Sequence, residues 1–325
     1  MGSSSQMGGP IFLRGNDPMT SQEPLVYLSG AFVPASQASL KIYDAGIILG
    51  ATVTDLIRTF RKRPFRLEDH VARFYRSCKY AQILPRIPPE EMLTVSRRLI
   101  EHNGALIGDQ EELALVTFIT PGVFPVYAGS AGFAGQETPT HVVHTFPLPF
   151  RLWRGYFTEG VHVVTPSIRH VPAQCVDPKM KCRSRMHYWL ADRETHLADP
   201  KAVSLLLDLD GNVTETSGAN FLLVRDGRVI SPPPRSILPG VSLMTVRELC
   251  GELGIPFGEQ DLQVHDVVNA DEAFLATTPY CAAPVTRING IPIGDGKPMG
   301  PVYRRIVEAW SARVGMDIVR QVLEG

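Results

Sequence analysis

The sequence predicts an α+β chain built in two unequal halves. Three observations predict it. The first half interleaves amphipathic helical stripes with apolar, β-branched runs. The second half carries three Asx-Gly pairs, each set between apolar runs. The chain has 325 residues, 44% of them hydrophobic, which is enough to bury two cores.

Residues 1–23 are rich in Gly, Ser and Gln and lack both a basic start and an apolar stretch, so they read as a tag or disordered tail. Val26 to Val33 alternates around Ser29-Gly30 and predicts a hairpin. Leu56 to Phe60 predicts a strand that returns through Arg61 to Pro64. Glu68 to Ile83 follows as a helix with Val71, Phe74, Cys78 and Ala81 on one face. Pro88-Pro89 opens a second helix, lined by Met92, Val95, Leu99 and His102 and stopped by Gly104. Leu113 to Thr120 and His141 to Phe146 predict strands. His141 and His144, three apart on one of them, face opposite ways and make a poor ligand pair. Gly122 to Gly135 reads as a mobile loop, which suits a lid. The first half, a small α+β domain over 24–148, ends here.

Residues 149–158 show aromatic and basic residues without a period and read as an interdomain connector. The larger domain, 159–325, opens with a short strand from Val161 to Thr165. Ser184 is placed to cap a helix running to about Leu197. Ser204 to Leu209 and Val213 flank Asp210-Gly211, Phe221 to Val224 and Arg228 to Ile230 flank Asp226-Gly227, and Val285 to Ile288 and Ile291 to Ile293 flank Asn289-Gly290. Leu243, Val246, Leu249, Cys250 and Leu253 form a helical stripe stopped by Gly254, and the final helix spans about Val302 to Val314.

Formal net charge is −1, so neither sign dominates and a nucleic-acid or membrane-surface partner is not expected. No apolar run is long enough to cross a bilayer. The five cysteines are odd in number and scattered, which argues against a disulfide framework and for a reducing, cytoplasmic location. Cys175, Cys182, His170 and His187 lack the close Cys pairs of zinc sites, so no metal is expected.

The chemistry-bearing signal is a lysine near a fixed carboxylate. Lys179 and Lys181 lie in a stretch with Arg183 and Arg185, and cations lower a lysine's pKa and make its amine nucleophilic. Glu215 opens the box Glu215 to Asn220, one turn past Asp210-Gly211. A lysine that forms a Schiff base and an acid that holds a pyridine nitrogen protonated suit pyridoxal 5′-phosphate. Anion-binding candidates are also present. Pro239 to Ser242 runs straight into a helix, whose first N–H groups are unpaired. Arg58 interrupts an apolar strand, which suits a bidentate phosphate contact. Thr278 stands at the end of the run from Phe274. Taken singly, each has an ordinary structural reading: a helix cap, a solvent-facing arginine, a loop hydroxyl.

As an ordered set these positions resemble the class IV (fold-type IV) pyridoxal phosphate-dependent aminotransferases, a group that includes branched-chain and D-amino acid aminotransferases, (R)-amine transaminases and aminodeoxychorismate lyases. The resemblance covers about Val26 to Val314. It rests on the opening hairpin with Tyr43 to Gly46, the strand Leu56 to Arg58, the box from Glu215 to Asn220, the Leu238 to Ser242 segment and the strand from Phe274 to Val285. It implies a small α/β sandwich domain and a larger pseudo-barrel, a homodimer with the cofactor between the domains, and transfer of an amino group from an amino acid or amine to a 2-keto acid. It implies Lys181, not Lys179, as the Schiff-base lysine and proton carrier, because Ser184, Arg185 and Met186 follow it in the family's spacing. It implies Glu215 at the pyridine nitrogen, and Arg58, the Val241 and Ser242 amides and Thr278 at the phosphate.

Three departures bear on substrate. Met186 stands where branched-chain enzymes have a tyrosine, Leu113 to Gly122 holds no arginine, and Leu243 replaces an arginine common after the phosphate segment. Arg151, Arg154, Arg183 and Arg185 are the remaining candidates for a substrate carboxylate. The alternatives are a lyase on the same scaffold and, from another class, a non-catalytic binding protein that retains the fold.

Overall fold

The computed structural model describes residues 22–128 and 138–325. Most of the tail, and the Gly122–Gly135 loop from 129 onward, therefore lie outside the described residues. In chain order the strands are β1 Leu25–Leu28, β2 Ala31–Pro34, β3 Val53–Phe60, β4 Arg63–Pro64, β5 Leu113–Thr120, β6 Thr140–Pro147, β7 Val161–Val164, β8 Val203–Leu207, β9 Val213–Thr216, β10 Asn220–Arg225, β11 Arg228–Ser231, β12 Phe257–Glu259, β13 Glu272–Thr277, β14 Cys281–Ile288 and β15 Ile291–Pro292. The helices are α1 Ala45–Ile48, α2 Leu67–Ala81, α3 Pro89–Gly104, α4 Pro125–Ala128, α5 Arg154–Thr158, α6 Met186–Ala198, α7 Val241–Glu252, α8 Val264–Val268, α9 Pro301–Val314 and α10 Ile318–Glu324.

β1 to β6 form a six-stranded antiparallel sheet in the order β2-β1-β6-β5-β3-β4. α2 and α3 cover one face of it. Leu67, Val71 and Met92, Val95, Leu99 pack there with Leu25, Ile57, Leu115 and Val143. The predicted stripes are the buried ones because a 3.6-residue period brings them to one side.

The remaining strands form a nine-stranded sheet, β12-β11-β10-β13-β14-β7-β8-β9, with β15 on β14. A further pairing, Asn220 with Glu215, joins β9 back to β10 and closes the strands between into a barrel. Closure removes the edges that an open sheet would leave unpaired. The barrel core gathers Val161, Val163, Leu205, Val213, Phe221, Leu223, Leu275 and Val285. A second core lies between the outer face of β10–β13 and α7 and α9, around Val246, Leu249, Phe274, Ile306 and Trp310.

Two of the three Asx-Gly pairs make two-residue hairpins. Asp226-Gly227 and Asn289-Gly290 both adopt the left-handed conformation that this turn needs. Asp210-Gly211 sits instead in a longer loop, whose Asp208 carboxylate accepts from the Asp210 and Asn212 amides.

Several expectations are corrected. The segment 149–158, read as a connector, folds into a short 3-10 turn, Phe150–Trp153, and α5. Phe150 and Phe157 are buried in the barrel core, so burial there comes from packing and not from an amphipathic period. Ser184 does not cap α6. Its hydroxyl donates to the Gly50 carbonyl, 2.6 Å away, and the residue before the helix is Arg185. The helix ending at Val314 is not the last one. Asp317, whose side chain accepts from the Arg320 amide, starts α10.

Candidate active site

The lysine stretch is positioned by the small sheet. The Lys181 carbonyl accepts from the Thr54 amide at 2.9 Å, the Arg183 amide donates to the Thr52 carbonyl at 2.9 Å, and the Lys181 amide donates to the Ser77 hydroxyl at 3.2 Å. Cys182 bridges Val53 at the start of β3. Lys181 is thus clamped between β3 and α2 and lines a cleft that Glu215 also lines. Burial, together with the Arg73 and Arg185 cations, lowers the amine's pKa to about 8, against the pull of Asp55 and Glu215. Lys179 instead pairs with Asp177 at 3.5 Å, on a side chain half exposed to solvent.

Glu215 stands at the barrel seam. Its Oε2 accepts from Asn220 Nδ2 at 2.9 Å and from the Leu238 amide at 3.2 Å, and its Oε1 accepts from the Tyr188 hydroxyl at 3.3 Å. Asn220 also donates to the Leu238 carbonyl at 3.0 Å. The box therefore works as one unit. Thr216 folds it over by accepting from the Ala219 amide at 2.9 Å, cross-strand pairing sets Asn220 opposite Glu215, and the side-chain amide of Asn220 orients the acid.

Leu238 leads into α7. Gly240 precedes its first turn, and a side chain there would collide with the Asn220 Oδ1. Val241, Ser242 and Thr278 line the same cleft as Lys181 and Glu215, and no side chain caps α7. Its first N–H groups lack intrahelical partners, as at any helix start, and are suited to an anion.

Arg58 is the exception. The structure does not bring it to the cleft. Its guanidinium is buried, stacked 3.8 Å over Phe60, and donates to the Thr59 and Pro279 carbonyls, the Cys281 sulfur and Gln321 Oε1. It ties β3 to the loop after β13 and to α10. The arginines that line the cleft are Arg73 of α2 and Arg185. Arg73 makes a bidentate contact with Asp55, at 2.8 and 2.9 Å, and reaches the Pro239 carbonyl at 3.2 Å. His70 completes the group, 2.8 Å from the same carboxylate through Nδ1, which carries the hydrogen because a carboxylate accepts. Burial alone would raise the Asp55 carboxyl. Arg73 and His70 outweigh it and hold the group well below the usual carboxylate range. Sequence reasoning gave Tyr188 no role, weighed His170 only as part of a metal set, and placed Asn220 in the box without its contact to the acid. Asp55, His70 and Arg73 had a signal: charged residues inside an apolar strand and on a helix's apolar stripe.

A larger groove of about 810 Å³ borders the cleft, sharing Thr216, Ser217, Gly218 and Thr277 with it. Among the described residues no cluster of His, Cys, Asp and Glu gathers a metal-binding set, and no helix is long and apolar enough to cross a membrane.

Residues 52–288 match the amino-transferase class IV family model. The chain is 29% identical over 286 residues to a Methanocaldococcus jannaschii protein described provisionally as a branched-chain-amino-acid aminotransferase, spanning 87% of this chain and 94% of that one. It is 27% identical over 290 residues to D-alanine aminotransferase of Staphylococcus aureus, spanning 88% and 96%. The crystal structure of a T.th. branched-chain amino acid aminotransferase with pyridoxamine 5′-phosphate superposes with a TM-score of 0.78 at 26% identity, over 90% of this chain and 95% of that one.

The chain belongs to the class IV aminotransferases. It is a pyridoxal 5′-phosphate-dependent transaminase of fold-type IV, acting on an amino donor and a keto acceptor. The relatives named are aminotransferases, which favours transamination over the lyase and non-catalytic alternatives.

Proposed function

We propose that this transaminase works through a division of labour among the residues of the lysine cleft. The observation that carries the reading is the meeting of Lys181 and Glu215 in the walls of one cleft, at the point where the barrel closes. Pyridoxal 5′-phosphate, when bound, supplies an aldehyde carbon and a protonated ring that takes up the electron pair left by a broken Cα–H bond. The residues present fit it: an amine, an oriented acid, a helix start free of side-chain capping and an arginine.

Lys181 would be the amine that joins the cofactor, and as a free amine it would accept the proton from the donor's Cα. A pKa of about 8 leaves an appreciable neutral fraction at physiological pH. Glu215 holds the proton on the ring nitrogen, and Asn220 and the Leu238 amide keep its carboxylate aimed. The phosphate is held by the Val241 and Ser242 amides, Thr278 and Arg73. Arg73 takes the role expected of Arg58, because Arg73 lines the cleft and Arg58 does not.

Arg185 receives the substrate carboxylate. Of the candidate arginines it alone lines the cleft; Arg154 bonds the Gly325 carbonyl at 3.2 Å, Arg183 stacks 4.5 Å from Phe118, and Arg151 is exposed. The enzyme is a cytoplasmic homodimer. Ile42, Ile47, Leu49, Met186, Trp189 and Leu190 are exposed, on two segments that the Ser184–Gly50 hydrogen bond ties together, and they supply apolar surface for a second copy. Cell fractionation that finds the protein outside the soluble pool would overturn the location.

The test is Lys181→Ala. Transamination should fall by about a hundredfold or more, and the visible band that borohydride bleaches should vanish. A band that survives in Lys181→Ala and is lost in Lys179→Ala reverses the assignment. In the same assay Arg185→Gln should raise KM for amino acids about tenfold or more while leaving amines without a carboxylate unaffected.

A further inference from the structure

Behind Glu215 lies a buried chain of titratable side chains that none of the roles assigned to the cleft uses. His170, Tyr188 and Glu215 are each 8% exposed. The His170 Nδ1 lies 3.0 Å from the Val171 carbonyl, which can only accept, so Nδ1 carries a hydrogen. The Nε2 lies 3.0 Å from the Tyr188 hydroxyl, and that hydroxyl lies 3.3 Å from Glu215 Oε1. Nε2 and Oε1 are 3.9 Å apart.

A count of hydrogens shows what this arrangement demands. The phenol has one proton. With a bare Nε2 on one side and a carboxylate on the other it faces two acceptors, and one buried acceptor goes unpaired. One additional proton satisfies every group. Held on Nε2, it is donated to the phenol oxygen while the phenol's proton goes to Glu215. Held on Glu215, both bonds run the other way.

We propose that His170, Tyr188 and Glu215 form one proton-sharing chain, in which His170 and Glu215 hold a single exchangeable proton between them through the Tyr188 hydroxyl, so that His170 and Tyr188 set the charge Glu215 presents to the cofactor's ring nitrogen. The inference rests on Glu215 being the ring-nitrogen acid. The transfer balances: the Nε2–H and phenol O–H bonds break while a phenol O–H and a carboxyl O–H form. Both residues are positioning residues, acting through Glu215.

The charged and titratable groups around the chain are Arg185, whose guanidinium sits 4.6 Å over the Tyr188 ring, His187, 4.2 Å from that ring and 5.9 Å from His170, and Lys181 and Cys182. His187 does not compete for the proton. Burial, His170 and Arg185 lower its pKa to about 4. Tyr188 is locked by its packing against Ala191 and Leu206, which fixes the hydroxyl between its two partners.

The experiment uses the full chain labelled with ¹⁵N-histidine, with and without pyridoxal 5′-phosphate, and the variants Tyr188→Phe and Glu215→Gln. Tyr188→Phe keeps the ring and its packing. In the wild type without cofactor, His170 Nε2 should give the signal of a protonated ring nitrogen. In Glu215→Gln it should give that of a bare nitrogen, because the amide donates to the phenol oxygen and frees the phenol's proton for Nε2. In the loaded enzyme, Tyr188→Phe should move the pH midpoint of the visible band by about one unit, a tenfold change in proton affinity. An Nε2 signal that is the same in wild type and Glu215→Gln, or an unmoved midpoint in Tyr188→Phe, overturns the chain. If Glu215→Gln leaves the band's pH midpoint and the activity as in wild type, the reading of Glu215 itself fails.

Discussion

Arg58 and Arg73 show how finely function depends on which face a side chain takes. Both are buried, and both draw on strand β3: Arg58 is part of it, and Arg73 is held by Asp55 of the same strand. Residues 55 and 58 are three apart, so a strand directs them to opposite faces. Asp55 turns to α2 and aims Arg73 into the cleft, whereas Arg58 turns to the second core and clasps the loop after β13. The two variants should therefore separate. Arg73→Gln should weaken cofactor binding by roughly ten- to a hundredfold, the worth of a charge-assisted contact. Arg58→Gln should leave cofactor affinity near wild type and destabilise the fold by about 1–3 kcal/mol, by stranding buried acceptors. Cofactor titration and urea unfolding measure the two quantities. Lys181 adds a pH signature. Its folded pKa, about 8, lies below the ordinary 10.5, so the folded state binds fewer protons than the unfolded chain between those values. Stability of the cofactor-free protein should rise with pH across that window, and the rise should be smaller in Lys181→Met.

At the scale of elements, the cleft is built where ends meet: the start of α7, the end of β13, the closing pair of β9 and β10, and the first residues of the chain entering α6. Gly240 is the tightest of these junctions. Its backbone angle is ordinary for any residue, and the constraint is space against Asn220. Gly240→Ala should displace Asn220 from Glu215, destabilise the protein by about 1–3 kcal/mol and raise the cofactor Kd. A cofactor affinity equal to wild type would contradict this view of the junction. Most elements here were readable in advance, since stripes at α2, α3 and α7 and the Asx-Gly pairs at 226–227 and 289–290 are local signals. The elements that escaped are short or lack a period. α5 and the turn before it are buried by contact with α10 and the barrel, and α10 starts shortly after the left-handed Gly315 that ends α9.

For the whole molecule, the proposed dimer face takes exposed Ile42, Leu49, Met186 and Trp189, on two segments tied by the Ser184–Gly50 hydrogen bond next to the lysine segment. If that face is the dimer contact, Trp189→Glu should convert a species of twice the 35.8 kDa chain mass into a monomer in light scattering and lower activity with it. A monomeric wild type would end the dimer reading.

Chain order alone was sufficient for the family resemblance and for naming a lysine, an acid and a helix start as candidates, because each is a short-range pattern; the preference for Lys181 over Lys179 came from the resemblance. That Arg73 and not Arg58 reaches the cleft, that Arg185 alone of four candidate arginines lines it, and that Tyr188 and His170 join Glu215 emerged only on folding. Those pairings depend on strand parity, barrel closure and helix docking, which bring together side chains far apart in the chain and which no local pattern encodes.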